Sequence, residues 1–210
     1  MKVPLLHVIA TDEVVEAPAF PPIAEELMEA GGERLALHLR LRRTGGRDFH
    51  DLAERLGRTA ASAGAWCVVN GRVDVALTAG AQAVQLGWGA LPVREVREIW
   101  GRRFAIGASV HSADEARARA EEGADFLVAG SVFSTATHPD RAPMGPALVT
   151  SCAATGVPVV GIGGIDASNA EQVMAAGAAG VAVIRAVWQA ADPVERALRL
   201  IERVSDRASA

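Results

Sequence analysis

A chain of 210 residues, half of them hydrophobic and mostly Ala, Val and Leu, holds enough apolar side chain for one domain with a substantial core. Only 4% are aromatic, Tyr is absent, and the formal charge of −4 argues against the basic field that a nucleic-acid partner requires. The apolar stretch within Met1-Lys2-Val3-Pro4-Leu5-Leu6-His7 is too short for a secretion signal, and no run reaches membrane-spanning length, so a soluble cytoplasmic protein is expected.

In chain order, strands are predicted at Leu5–Ala10, Leu35–Leu41, Trp66–Asn70, Ala83–Gly87, Phe104–Val110, Phe126–Ser131, Val157–Gly163 and Gly180–Ala186. The segments between them carry helical spacing, as in Ile23, Leu27 and Ala30, or Leu52, Leu56 and Ala60. Ser112 before Ala113-Asp114-Glu115 reads as a capping box, and Asp192-Pro193 opens the last helix. Alternation of strand and helix predicts a parallel sheet. Eight units in 210 residues, about 26 each, predict a (β/α)8 TIM barrel, class α/β, as a single domain over 1–210. The alternative, a doubly wound open sheet, usually has a Gly-rich turn after its first strand, and Ala10-Thr11-Asp12-Glu13 has none. Cys67 and Cys152 lie far apart without metal-ligand spacing and are expected as buried, reduced thiols.

The second strand, Leu37-His38-Leu39-Arg40-Leu41-Arg42, puts leucines on one face and basic groups on the other. In a barrel the leucines would meet the helices, leaving His38, Arg40 and Arg42 on the bore side. An unpaired buried guanidinium costs several kcal/mol, roughly, so these arginines need water, carboxylates or an anionic ligand. An ion pair with a neighbouring strand is the plain alternative, although few acidic residues fall at predicted strand ends. Asn70, Gln85, Ser109, His111 and Ser131 recur near the C-terminal ends of later strands, and His138 follows in a loop. Singly, each reads as a satisfied structural group. Together they mark the end where barrel sites are built. Gly163 and Gly164 after the seventh strand, with the turn at Arg185 and Ala186 after the eighth, are predicted to hold phosphate; a tight turn alone is the competing reading. His50 reads as a solvated helix residue and His7 as part of the lower barrel. No zinc spacing, Ser-His-Asp order or nucleophile elbow is present.

Several stretches, taken in order, resemble the thiamine phosphate synthase/TenI family over nearly the whole chain. They are Val69-Asn70-Gly71-Arg72-Val73-Asp74-Val75-Ala76-Leu77, Ile106-Gly107-Ala108-Ser109-Val110-His111-Ser112, Gly123-Ala124-Asp125-Phe126, Pro158-Val159-Val160-Gly161-Ile162-Gly163-Gly164-Ile165 and Ala176-Gly177-Ala178-Ala179-Gly180-Val181-Ala182-Val183. The resemblance implies two chemistries. The synthase joins a pyrimidine pyrophosphate to a thiazole phosphate with Mg²⁺ held by acidic residues. Its pattern has Gln-x-Arg-x-Lys on strand two, Asn-Asp after strand three and Gly-Gln-x-Asp after strand four. This chain has His38-x-Arg40-x-Arg42, Asn70-Gly71 and Gly87-Trp88-Gly89-Ala90, which lack both carboxylates. It looks closer to TenI, whose members include a thiazole tautomerase that aromatises a carboxythiazole phosphate by proton transfer.

That reading implies a small phosphorylated thiazole as partner and no cofactor, with Mg²⁺ only for the synthase alternative. It is compatible with a homodimer. The family's acid–base histidine lies in Gly-His-Val-Phe, which here reads Gly130-Ser131-Val132-Phe133. His138 is then the expected proton carrier, with His38 and His111 as candidates. Arg40 and Arg42 would hold the carboxylate, with Gly163, Gly164 and Arg185 on the phosphate. A thiamine phosphate synthase, active or degenerate, and a ligand-sensing regulatory protein are the alternatives.

Overall fold

Strand and helix alternate from end to end because each β-branched run is followed by an amphipathic segment that must cover it. The computed structural model describes residues 2–135 and 142–208, with side chains through Ser205. The order begins β1 (Leu6–Thr11), α1 (Asp12–Val15), α2 (Phe20–Gly31), β2 (Leu35–Arg40), α3 (Gly46–Ala63), β3 (Trp66–Asn70), α4 (Val73–Thr78), β4 (Ala83–Leu86) and α5 (Val93–Trp100). It continues β5 (Ala105–Val110), α6 (Ala113–Glu121), β6 (Phe126–Gly130), α7 (Pro146–Ala153), β7 (Val159–Ile162) and α8 (Ala170–Ala175). Last come β8 (Gly180–Val183), α9 (Arg185–Trp188) and α10 (Pro193–Ala208). The strands pair in parallel in chain order, and β8 pairs with β1, closing a (β/α)8 barrel.

The alternation of strand side chains separates two apolar layers. Leu6, Val8, Leu37, Leu39, Cys67 and Ile106 belong to the layer shared with the helices. Ile9, Ala36, Val68, Ala83, Phe126 and Val160 fill the bore. The register sets Leu37 beside Val8 and Cys67, and His38 beside Ile9 and Val68, so His38 faces inward as its strand pattern predicts. The bore is narrow. A Cβ on Gly107 would lie 2.2 Å from Gln85 Oε1 and 2.3 Å from Phe126 Cζ, so only glycine leaves room for both side chains.

On the outside, α3 buries Phe49, Ala53, Leu56, Gly57 and Ala60, one stripe at helical spacing, and ends at Gly64 with φ 73°. His50, on the same helix, is part-exposed. The face of α2 differs from the expected one: Phe20, Ala24, Leu27 and Met28 are buried, while Ala30 is exposed. Cys67 and Cys152 are free and buried, and burial pushes the Cys67 thiol up to about 12. No helix among the described residues is long and apolar enough to cross a membrane.

Most strand ends shift by one to three residues from the sequence expectation, and two of the shifts move site residues. β2 stops at Arg40 because the buried Asp12 carboxylate, at the end of β1, accepts the N–H groups of Arg42 (2.9 Å), Arg43 (3.0 Å) and Thr44 (3.2 Å). These bonds turn the chain away, and Arg42 becomes an exposed loop residue outside the cavity lining instead of a bore residue. Likewise β8 ends at Val183, and Arg185 and Ala186 open the short helix α9. Trp188 ties that helix to the barrel by donating its indole N–H to the Ile9 carbonyl at 2.9 Å.

Candidate active site

A cavity of about 560 Å³ opens at the C-terminal ends of the strands, a volume suited to a small metabolite. It is built from His38 and Arg40 of β2, Asn70 of β3, Gln85 of β4, Ser109 of β5, and His111 just beyond it. Ser131 follows β6, Gly163 and Gly164 follow β7, and Arg185 and Ala186 open α9. Of the residues predicted from sequence, these share one cavity. His138 lies outside the described residues.

His38 reaches the cavity from below, yet both its nitrogens are committed. Nε2 is 2.8 Å from His7 Nδ1, and Nδ1 is 3.1 Å from the Asn70 side-chain oxygen. Burial lowers its pKa to about 4, the Asn70 contact working weakly the other way. The lower-barrel placement expected for His7 holds: it is fully buried and touches the Pro4 carbonyl at 3.1 Å. With no free nitrogen, His38 is a part of the cavity floor and not an available proton carrier.

His111 differs in each respect. It is exposed at the mouth, and its Nδ1–H donates to the Gly130 carbonyl at 2.5 Å. The capping box reaches this residue: Ser112 Oγ accepts the Glu115 N–H at 3.1 Å, and the Glu115 carboxylate accepts the His111 N–H at 2.7 Å. Backbone and ring are thereby held from opposite sides. The bond to Gly130 fixes the tautomer and leaves Nε2, with no partner among the described residues, able to take a proton.

Arg40 is part-buried in the cavity wall and forms no ion pair with a described residue. Burial lowers its pKa and the charge of Arg42 adds to this, against the opposing fields of Asp12 and Glu13. The cost of burying this cation is recovered when an anion binds it. Asp12 itself, which burial pushes up, is held at about 2 by hydrogen bonds from the Arg42, Arg43 and Thr44 backbone and the Thr44 hydroxyl. Gln85 donates to Ser109 Oγ at 3.1 Å, while its buried Oε1 has no partner among the described residues.

The glycine pair serves close packing as well as the rim. A Cβ on Gly163 would lie 2.8 Å from Ser131 Cα, and one on Gly164 would lie 2.3 Å from the Ser134 carbonyl oxygen. Both glycines have positive φ, 104° and 62°. The tight turn is thus present, and both glycines also line the cavity. Sequence reasoning missed Ser134, Asp166 and Gln189 in the lining. Asp166 carried a signal, since Asp-x-Ser-Asn before a helix is a turn pattern: its carboxylate accepts the Ser168 N–H at 2.8 Å and hydroxyl at 2.6 Å. Gln189 carried none, because it follows a helix the sequence did not announce.

The magnesium ion implied by the synthase resemblance needs hard oxygen donors, and the residues present do not supply them. Gly71 has no side chain, although a Cβ there would meet nothing within 4 Å. Ala90 closes a turn by donating its N–H to the Gly87 carbonyl at 3.1 Å. Asp166 is the one acidic residue of the cavity wall among the described residues, and Ser168 engages one of its oxygens, so it offers a single carboxylate where the synthase pattern has two. No group of three or more His, Cys, Asp or Glu side chains suited to a metal occurs among the described residues.

A closed parallel barrel with a cavity at its strand C-termini, lined by Arg40 and Arg185, defines a (β/α)8-barrel protein with its candidate site where such barrels build them. Within that class, the chain belongs to the thiamine monophosphate synthase family, whose model matches residues 6–187. It is 40% identical over 199 residues to the thiamine-phosphate synthase of Methanoculleus marisnigri, covering 94% of each chain. It is also 40% identical over 210 residues to the bifunctional protein ThiM/ThiE of Symbiobacterium thermophilum; that match covers 96% of this chain and only 42% of the longer protein. A thiamine phosphate pyrophosphorylase from Pyrococcus furiosus superposes with TM-score 0.85 at 32% identity, covering 98% of both chains. A 3-hexulose-6-phosphate synthase, TM-score 0.67 at 17% identity, shares the fold.

Proposed function

We propose that this protein is a metal-independent thiazole tautomerase of the TenI type, which aromatises a carboxythiazole phosphate by moving one proton. The observation that carries this reading is His111, which lines the cavity with Ser131 and whose Nδ1–H bond to Gly130 leaves Nε2 without a partner among the described residues. Ser131 stands where the resemblance places the family's acid–base histidine. Nε2 of His111 takes the proton from the tetrahedral ring carbon and returns it to the carbon of a double bond outside the ring, so the ring gains its aromatic double bonds and no atom is gained or lost. Arg40 faces the carboxylate, and the backbone at Gly163 and Gly164, with Arg185, faces the phosphate.

The names of the relatives favour a second reading, transfer of a pyrimidine group to thiazole phosphate. Against it stand Gly71 and Ala90, at the positions where the synthase pattern carries its carboxylates. Two assays on the purified protein separate the readings. The tautomerase reading expects aromatic absorbance to appear from the non-aromatic thiazole phosphate, and no thiamine phosphate from the two synthase substrates with Mg²⁺. Robust thiamine phosphate formation would overturn it. Tight thiazole phosphate binding without turnover would also overturn it, leaving a ligand sensor.

A further inference from the structure

Beneath the cavity, adjacent strands contribute one continuous line of hydrogen bonds. The Pro4 carbonyl lies 3.1 Å from His7 Nε2, His7 Nδ1 lies 2.8 Å from His38 Nε2, and His38 Nδ1 lies 3.1 Å from Asn70 Oδ1. Both rings are buried, 0% and 1% exposed, so water cannot complete their bonding.

Proton counting fixes the direction of this line. A carbonyl only accepts, so His7 carries its proton on Nε2 and leaves Nδ1 as an acceptor. His38 must then donate from Nε2, which uses the single proton of a neutral ring and leaves Nδ1 needing a donor. The opposite direction would set two lone pairs against each other at the 3.1 Å contact with Pro4. Asn70 can supply the donor through its NH₂ group. With Oδ1 turned toward His38, the contact suits only a doubly protonated ring or the reversed line; exchanging the amide oxygen and nitrogen, which fit the same position, satisfies a neutral ring. Burial opposes that second proton, and neither ring feels a carboxylate: what faces them is His7 from β1, His38 from β2 and Asn70 from β3, with Phe126 packed 5.8 Å from His7.

We infer that His7, acting through His38, is a positioning residue that turns the Asn70 amide to donate downward and present its carbonyl oxygen to the cavity. The floor of the site therefore selects a ligand edge that carries an N–H or O–H donor. This holds whichever reaction the cavity performs.

Long-range proton–nitrogen correlation spectra of the intact protein read the tautomer of each of its five histidines. Both His7 and His38 are expected in the Nε2–H form near neutral pH; an Nδ1–H or doubly protonated His38 would overturn the inference. His7→Phe keeps the aromatic packing and removes the acceptor, so His38 is expected to populate the Nδ1–H form as well. An unchanged His38 signal there would contradict the line of bonds. Asn70→Asp replaces the donor with a carboxylate and is expected to raise the His38 midpoint by about 1–3 pH units. A midpoint left in place would show that Asn70 has no bearing on the ring. None of these readings involves turnover, so their failure is distinct from failure of the tautomerase assay.

Discussion

His111 and His38 show how two imidazoles near one cavity receive different duties. His38 sits among buried neighbours that consume both nitrogens, whereas the bond to Gly130 occupies only one nitrogen of His111. His111→Asn should therefore lower the aromatisation rate by about 10²–10⁴-fold, the usual contribution of an acid–base group, with little change in KM. Retention of full activity would remove His111 from the mechanism. The buried pair has a second consequence. His38 binds its proton only near pH 4 in the folded chain, against about 6.5 when unfolded, so its contribution to stability is complete above pH 6.5. That contribution is lost as pH falls through 4, and the urea midpoint should drop between pH 7 and 4. In His7→Phe, which removes one of the two buried bases, the drop should be smaller; an equal drop would assign the loss to other groups.

At the scale of elements, loops settle what strands begin. The alternating pattern of β2 was legible, because leucines at every second position have only one consistent register. Its end was not, because the residue that stops the strand is Asp12, thirty positions away on another element. Asp12, held at about 2 against about 3.9 when unfolded, contributes stability that is present above pH 4 and lost as pH falls through 2. Asp12→Asn should thus be less stable than wild type at pH 6, with the difference shrinking as pH approaches 2. A difference that stays constant over this range would mean that the charge is not what the loop uses. The rim after β7 makes a separate prediction. Gly164→Ala meets the Ser134 carbonyl oxygen and a positive φ together, and should cost about 2–4 kcal/mol in urea unfolding. Gly156→Ala, with φ 78° and open space, should cost about 1 kcal/mol. Equal losses would show that the overlap is relieved at no cost.

Across the whole molecule, the eight-fold alternation made the barrel readable, and barrel closure then gathered residues from distant strands at one end. That gathering made the set Arg40, Asn70, Gln85, Ser109 and Ser131 recognisable before any contact was known, since position at a strand end suffices to place it. Which histidine is free to act was not readable, because it depends on partners in three dimensions: Gly130 for His111, and His7 with Asn70 for His38. The central claim is that this barrel moves a proton without a divalent cation. It is tested most directly by the aromatisation rate of the non-aromatic thiazole phosphate, measured with purified protein in excess chelator and again in saturating Mg²⁺. The account predicts the same rate in both; a rate abolished by chelator and restored by Mg²⁺ would contradict it.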